Sequence, residues 1–367
     1  MLETYRAGII GCGWVSTAHI NGYRATGRVE VAAAADISQE RLQDFGAEWG
    51  VVNLYTDYRE MLDREKLDLV SICTPASIHL EMVSQAAERR PRVIVCEKPL
   101  ALSLGEADAI LANCERARCH LVACHQRRFE ARYVKAMELI RSGVIGEVTF
   151  LRTWGGDLFE GSDHVIDLMR SFVQDDAVRR VAGQVEFAHP PAQLYGHLSE
   201  YAAVGYIVFA GGASGLLCAS ALAPPERLYG FSIVGSEGVM EISAMPHPIA
   251  YPSPSWVRVK GQGDANWLHI EAPDTLLAPP SKKLLERGSI EYFWLDCWQD
   301  LMESVIHTAE TGQDGPCSGA GARADIEIII AIHVSARLRR AIEFPVTIMD
   351  SPVTGEGSQP DSIWRSP

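Results

Sequence analysis

Three short clusters in the first hundred residues carry side chains suited to gripping a dinucleotide and acting beside it. Gly11-Cys12-Gly13-Trp14-Val15-Ser16 follows an apolar run and opens a helical pattern. In such a turn the first glycine permits a tight bend and the second lets the backbone approach a pyrophosphate, while a small third residue lets helix and strand lie close. The phosphates then face the helix N-terminus. Ser16 stands where the third glycine is usual, and the six residues alone would serve equally as a plain strand-to-helix turn. Asp36 lies twenty residues beyond Ser16, at the end of the next apolar run, where an acid meets the adenosine ribose hydroxyls. Taken singly, Asp36 also suits a cap on the helix beginning near Ser38, and methyltransferases carry an acid there too. The succession of strand, glycine turn, helix, strand and acid selects the dinucleotide. A carboxylate at Asp36 repels a 2′-phosphate, so NAD is expected over NADP, with Gly11, Gly13, Trp14, Val15 and Asp36 as contacts.

Two further strand ends are chemically unusual. Thr74-Pro75, with His79 four residues on, follows Leu69-Val70-Ser71-Ile72-Cys73, and Glu97-Lys98-Pro99 follows Val93-Ile94-Val95-Cys96. Ligands of open α/β sheets collect at the carboxyl ends of the strands, which adds Thr74, Pro75, His79, Glu97 and Lys98 to the expected surroundings of the cofactor. A lone lysine is ordinarily solvated. One set between Glu and Pro just after a buried strand reads as a positioned cation.

The elements that must position these groups follow from periodicity. Apolar runs at 5–10, 29–35, 67–73, 92–96 and 121–124, with a weaker one at 51–55, alternate with helical patterns at 38–49, 77–89 and 103–118. That alternation predicts a parallel sheet with helices on both faces, and the near-continuous apolarity of the strands agrees with burial on both sides. After about residue 145 strand patterns follow one another directly, at 147–154, 178–187, 203–209, 215–221, 228–234, 239–243, 256–260 and 267–271. Helical patterns fall at 129–142, 165–173, 292–311 and 322–341. The expected architecture is α/β: an N-terminal doubly wound parallel sheet over 1–125, then an α+β domain over 126–345 with a large, mostly antiparallel open sheet. A Ser/Pro/Gly/Asp-rich tail over 346–367 completes it, read as a strap.

Composition narrows the partners. The 367 residues are 47% hydrophobic and 22% charged, with 33 Lys+Arg against 47 Asp+Glu and a net charge of −14, a balance typical of a folded chain. The acidity counts against nucleic acid. The most apolar stretch, Ile326 to Val334, includes Glu327 and His333 and falls far short of the ~20 residues a membrane span needs. The opening Met1-Leu2-Glu3-Thr4-Tyr5-Arg6 lacks the basic-then-apolar pattern of a signal peptide. With nine scattered cysteines reading as reduced thiols, a cytoplasmic location is expected.

The sequence resembles the glucose–fructose oxidoreductase/inositol dehydrogenase (Gfo/Idh/MocA) family along nearly its whole length. The resemblance rests on Gly11-Cys12-Gly13, Thr74-Pro75 with His79, Glu97-Lys98-Pro99, Leu139-Ile140-Arg141-Ser142-Gly143-Val144-Ile145-Gly146-Glu147-Val148 and Gly161-Ser162-Asp163-His164-Val165-Ile166-Asp167. It continues through Gly235-Ser236-Glu237-Gly238, Ser318-Gly319, Ser335-Ala336-Arg337 and Phe344-Pro345. It implies a Rossmann domain followed by an α/β domain whose open sheet makes a homodimer or homotetramer. It also implies NAD(P)-dependent oxidation or reduction of a sugar, cyclitol or related polyol. Carried over by position, Lys98 touches substrate and nicotinamide ribose, Glu97 contacts the ribose region, and His164 is the active-site histidine. The family's acid four residues before that histidine is here Glu160 rather than Asp, and Asp163 beside His164 is an alternative partner.

In the chemistry so implied, hydride passes between the carbinol carbon and the nicotinamide while the hydroxyl proton needs a base. His164, with an ordinary pKa near 6.5, fits that part, Lys98 would stabilise the alkoxide, and Glu160 or Asp163 would orient the imidazole. Two other functions suit the same scaffold: a sugar hydrolase or isomerase that oxidises transiently, and a non-catalytic dinucleotide sensor. Blander readings apply elsewhere. Arg127, Arg128 and Arg132 suit ion pairs as well as substrate, and Cys114, Cys119-His120 and Cys124-His125 lack zinc spacing, so no metal is expected. Trp294, Trp298, Leu301 and Val305 read as core, and Tyr195, His197 and Tyr201 as structural residues.

Overall fold

A computed structural model describes residues 3–194, 197–220, 226–244, 255–273 and 296–353. The chain divides into two compact units, one made of Met1–Ala101, Glu106–Phe129 and Thr275–Ala322, the other of Leu102–Gly105, Glu130–Asp274 and Arg323–Pro367.

In the first unit six parallel strands, β1 (Tyr5–Ile10), β2 (Val29–Ala35), β3 (Asn53–Tyr55), β4 (Leu69–Ile72), β5 (Val93–Cys96) and β6 (His120–Ala123), lie in the order β3-β2-β1-β4-β5-β6. This is the dinucleotide-binding order, in which the chain reverses direction across the sheet between β1 and β4. The helices between strands are α1 (Ser16–Thr26), α2 (Gln39–Trp49), α3 (Tyr58–Arg64), α4 (His79–Glu88) and α5 (Leu104–Ala117). Local chemistry sets their ends. Ser38 caps α2 on the Arg41 amide and Gly50 closes it in the left-handed conformation, while Asp57 caps α3 on the Arg59 amide.

The expected domain division is contiguous, whereas the chain returns to this unit after residue 275. Helix α8 (Asp296–Thr311; α6 and α7 are given below) places Cys297, Trp298, Leu301, Met302, Val305 and Ile306 in one core with Tyr5, Ala7, Ala18, Tyr23, Val93, Val95 and Val122. Trp298, Leu301 and Val305 are thus core, and Trp294 lies outside the described residues. The physical reason is that one sheet face needs a helical cover that the segments between strands do not supply. An apolar stripe in sequence does not say which sheet it covers.

The second unit holds a nine-stranded sheet, built from β7 (Val148–Gly155), β8 (Val178–Leu194), β9 (His197–Phe209), β10 (Ser214–Ser220), β11 (Phe231–Gly235), β12 (Gly238–Ile242), β13 (Trp256–Gly261), β14 (Leu268–Glu271) and β15 (Ile342–Glu343). Their order is β14-β13-β12-β11-β7-β10-β9-β8-β15. The described pairings are antiparallel except β7 with β10. Helices α6 (Ala131–Arg141), α7 (Ser162–Phe172) and α9 (Gly319–Leu338) accompany it. Strand β8 outruns its expected end at 187, because the register shifts between Phe187 and Ala192 accommodate Pro190 and Pro191 before pairing resumes at Ala192 with Ser199. The start of the expected strap is tied down: the Val346 amide donates to Glu327 Oε1 and the Leu198 amide to the Val353 carbonyl. Residues 354–367 lie outside the described part. Among the described residues no helix is long and apolar enough to cross a membrane.

Candidate functional site

The glycine turn sits at the carboxyl end of β1. Gly11 has φ +92°, and a Cβ there would stand 2.5 Å from the Cys73 carbonyl oxygen, so strand β4 itself demands glycine. Gly13 is constrained differently. A Cβ there would meet no protein atom within 4 Å, which leaves open the approach that a pyrophosphate needs. Ser16, in place of the third glycine, is buried and satisfies its hydroxyl on the Gly13 carbonyl at 2.6 Å. Val15 precedes α1 without offering a side-chain acceptor, and the first turn of the helix carries no acid. The Thr17 and Ala18 amides donate to the carbonyls of Trp14 and Val15 at 3.3 and 3.0 Å, and no acidic side chain competes for the positive end of the helix dipole.

Asp36 leans back onto this turn. Its Oδ2 accepts from the Cys12 amide at 2.8 Å and its Oδ1 from the Ser38 amide at 2.7 Å, with the Arg41 guanidinium 3.4 Å away. The acid and the glycine turn are therefore one rigid piece, and these residues fit an adenine dinucleotide.

The other two strand ends are locked together by His79. Its ring is fully buried, with Nε2 2.8 Å from the Thr74 carbonyl and Nδ1 3.1 and 3.2 Å from the carbonyls of Pro99 and Leu100. Burial draws its pKa down against the pull of those carbonyls. His79, expected among the cofactor contacts, thus spends both ring nitrogens on backbone and fixes the loops that bear Thr74-Pro75 and Lys98-Pro99. Glu97 also turns inward: Oε1 lies 3.0 Å from His19 Nε2, and Oε2 accepts from the Lys98 amide at 3.1 Å. Burial raises the Glu97 pKa, yet the hydrogen bond and charge of His19, with Lys98, outweigh it and hold the carboxyl below its usual range. Lys98 itself is half-buried.

His19 is the residue that sequence reasoning missed. Its Nδ1 is 3.0 Å from Ser71 Oγ, which is 2.8 Å from the Tyr23 hydroxyl. Tyr23, Ser71, His19 and Glu97 thus form one hydrogen-bonded line. The available signal was a polar pair, His19 and Tyr23, one helical turn apart on the buried side of α1. Their partners, 48 to 78 residues away in the chain, carried none. His19, Glu97 and Cys124 bring one possible ligand atom each within 4.8 Å of one another. Burial and the charge of Glu97 drive the Cys124 thiol well above its usual pKa, which opposes the thiolate a metal needs.

In the second unit, β7 ends at Gly155 and a turn over 156–161 leads into α7. Glu160, on that turn, is half-buried, while Asp163 and His164 are buried in the first turn of α7. The His164 ring presents to Tyr229 at 6.5 Å and 68°. Arg132 is internal to this unit, fully buried against Glu130 Oε2 at 2.7 Å and the Ser243 carbonyl at 2.9 Å. His197 is buried, Tyr201 is exposed on the sheet, and Tyr195 lies outside the described residues.

Comparison with known proteins places this geometry. Residues 5–125 match the model of the GFO_IDH_MocA family, described as an oxidoreductase family with an NAD-binding Rossmann fold. D-apiose dehydrogenase of Paraburkholderia graminis is 33% identical over 179 residues, 47% of this chain and 47% of that protein. Myo-inositol 2-dehydrogenase of Thermotoga maritima is 26% identical over 191 residues, 48% of this chain and 57% of that protein. The matched stretches thus span about half the length of these relatives. Levoglucosan dehydrogenase in complex with NADH has the same fold, with a TM-score of 0.79 and 21% identity over 94% of this chain and 100% of that one.

The open space at Gly13 yields a test. The Cβ of Gly13→Ala meets no protein atom within 4 Å, so its thermal midpoint should match the unmodified chain, while NADH affinity, read by fluorescence titration, should fall by ~10-fold or more.

Proposed function

We propose that the chain is an oxidoreductase of the Gfo/Idh/MocA family, whose model its residues 5–125 match, and that it transfers a hydride between the nicotinamide of NAD(P) and a hydroxyl or carbonyl of a sugar, cyclitol or related polyol. The observation that carries this reading is the single carboxyl edge of one parallel sheet, where the glycine turn with Asp36, the Thr74-Pro75 loop and the Glu97-Lys98-Pro99 loop all end. Gly11, Gly13, Trp14, Val15, Asp36, Thr74 and Pro75 hold the dinucleotide, and Glu97 and His79 hold the Lys98 loop against it. When bound, the nicotinamide supplies the hydride acceptor or donor.

The chain's own residues manage charge and proton. The Lys98 ammonium stabilises the alkoxide that forms as the alcohol is oxidised, an effect that grows where water is excluded. His164 takes the hydroxyl proton, an imidazole being able to give and receive protons near neutrality. Glu160 orients that ring, with Asp163 beside it. In the reverse direction His164 returns the proton to the carbonyl oxygen. The carboxylate of Asp36 favours ribose hydroxyls over a 2′-phosphate, which makes NAD the preferred cofactor.

The second unit's sheet leaves Tyr201, Val204, Tyr206, Val234 and Leu268 exposed at 38–60%. An apolar surface of this kind seeks a partner, and a second copy of the chain, forming a homodimer or homotetramer, is that partner. Tyr206→Glu should lower the mass measured by light scattering toward that of one chain, and an unchanged mass would remove this face from the assembly.

The deciding experiment follows absorbance at 340 nm over a panel of aldoses, sugar acids and inositols with NAD and NADP side by side. Growth of reduced cofactor with at least one polyol supports the reading. Turnover of sugar without net reduction, or binding with no turnover at all, overturns it. Lys98→Met should lower kcat by ~1000-fold while NADH binding persists, and near-normal turnover would take Lys98 out of the mechanism. Asp36→Ala should narrow the NAD preference by ~10-fold. An unmodified enzyme that already prefers NADP would contradict the part given to Asp36.

A further inference from the structure

The turn between β7 and α7 delivers Glu160 and starts the helix of His164, yet the amides at its tip are held by side chains rather than by strand or helix. Asp157 Oδ1 accepts from the Phe159 amide at 3.0 Å and from the Glu160 amide at 3.2 Å. The Leu158 amide donates to Glu200 Oε2, on β9, at 3.1 Å, and the Glu200 amide returns a bond to Asp157 Oδ2 at 3.1 Å. Two carboxyls thus cross-brace the turn to the neighbouring strand. Each also meets an imidazole: His197 Nε2 is 3.2 Å from Asp157 Oδ1, and His333 Nε2, on α9, is 2.7 Å from Glu200 Oε1. Phe159 lies against both rings, at 5.2 Å from His197 and stacked at 6.0 Å on His333. Asp157, His197, Glu200 and His333 are all less than 9% exposed.

Two acids buried this close cannot both ionise without matching cations, and the surroundings divide the charge between them. Burial would raise Asp157, but hydrogen bonds with the side chains of His197 and Glu200 and the charge of His197 hold it well below the carboxylate range, and Asp157 in turn lifts His197 above its usual value against burial. Burial and the charge of Asp157 drive Glu200 far up, and burial takes His333 down to about 3. The turn therefore rests on the ion pair of Asp157 with His197, whose shifts run in opposite senses, while Glu200 and His333 are both shifted toward their uncharged forms. The remaining charged group facing His197 is Glu160 itself.

We propose that Asp157 and His197 are positioning residues of the reaction: their ion pair fixes the amides of Phe159 and Glu160, and through them the placement of Glu160 and the first turn that bears His164. The proposal rests on the parts assigned above to Glu160 and His164. Neither Asp157 nor His197 is given a contact with substrate. The ion pair is used because a side chain that accepts three hydrogen bonds at one oxygen must be strongly negative to hold all three.

Hydrogen exchange read by mass spectrometry over residues 156–163 of the full chain, combined with steady-state kinetics, tests it. His197→Leu should raise exchange in that segment by ~10-fold with the segments of the first unit unchanged. It should lower kcat by ~10-fold to ~100-fold while leaving KM for NAD within ~2-fold. His197→Gln, which keeps a donor for Asp157, should restore most of the protection and most of kcat. Should His197→Leu fail to fold, Asp157→Asn, of equal volume but uncharged, takes its place with the same expectations. Unchanged exchange over 156–163, or a loss of kcat without increased exchange, overturns the proposal. If the unmodified chain oxidises no polyol, the dehydrogenase reading falls while the exchange result still decides whether the ion pair holds the turn.

Discussion

The carboxylate of Glu97 is buried at the end of β5 and nevertheless held in its charged form, and much of the first unit follows from that requirement. A buried charge persists only with partners that replace water, and here they come from three places: His19 on α1, the amide of Lys98, and the Lys98 charge. His19 must in turn be satisfied on its other nitrogen, which calls on Ser71 of β4 and behind it Tyr23. One acid therefore ties α1, the helix that follows the glycine turn, to the loop that bears Lys98. The tie crosses β4, next to the place where the strand order reverses. Residues that never touch a ligand in this arrangement decide where the residues that do are placed.

His79 complements that tie with the opposite chemistry. Its ring is surrounded by carbonyl oxygens rather than acids, and it joins the ends of β4 and β5 from the side of α4. Between His19 and His79, both loops that follow the central strands are clamped by buried imidazoles. An imidazole suits the task because it offers two nitrogens on opposite sides of a small rigid plane.

The second unit applies the same rule with a different outcome. Where Glu97 is held below the usual carboxylate range, burial and then the charge of Asp157 push Glu200 well above it. The contrast shows what decides ionisation in these interiors: the number of donors each carboxyl collects, set against the charge of its neighbour. The same bonds supply partners to the Leu158, Phe159 and Glu160 amides in a turn that is neither helix nor strand.

The amino-acid sequence by itself determined the parallel sheet, the run of strands in the second unit, and the glycine turn with Asp36. These depend on short-range periodicity and on spacings of a few to twenty residues, which a linear text preserves. The tertiary structure alone decided that α8 returns to cover the first sheet, that His79 and Glu97 face backbone and His19, and that His197 and His333 meet Asp157 of the turn and Glu200 of β9. The physical reason is common to all of these. A buried polar group is defined by the partner that satisfies it, and Glu97 and His19 lie 78 residues apart, Asp157 and His197 40 apart. Such partners are brought together by sheet order and helix packing, and nothing in the local pattern of residues records the distance between them.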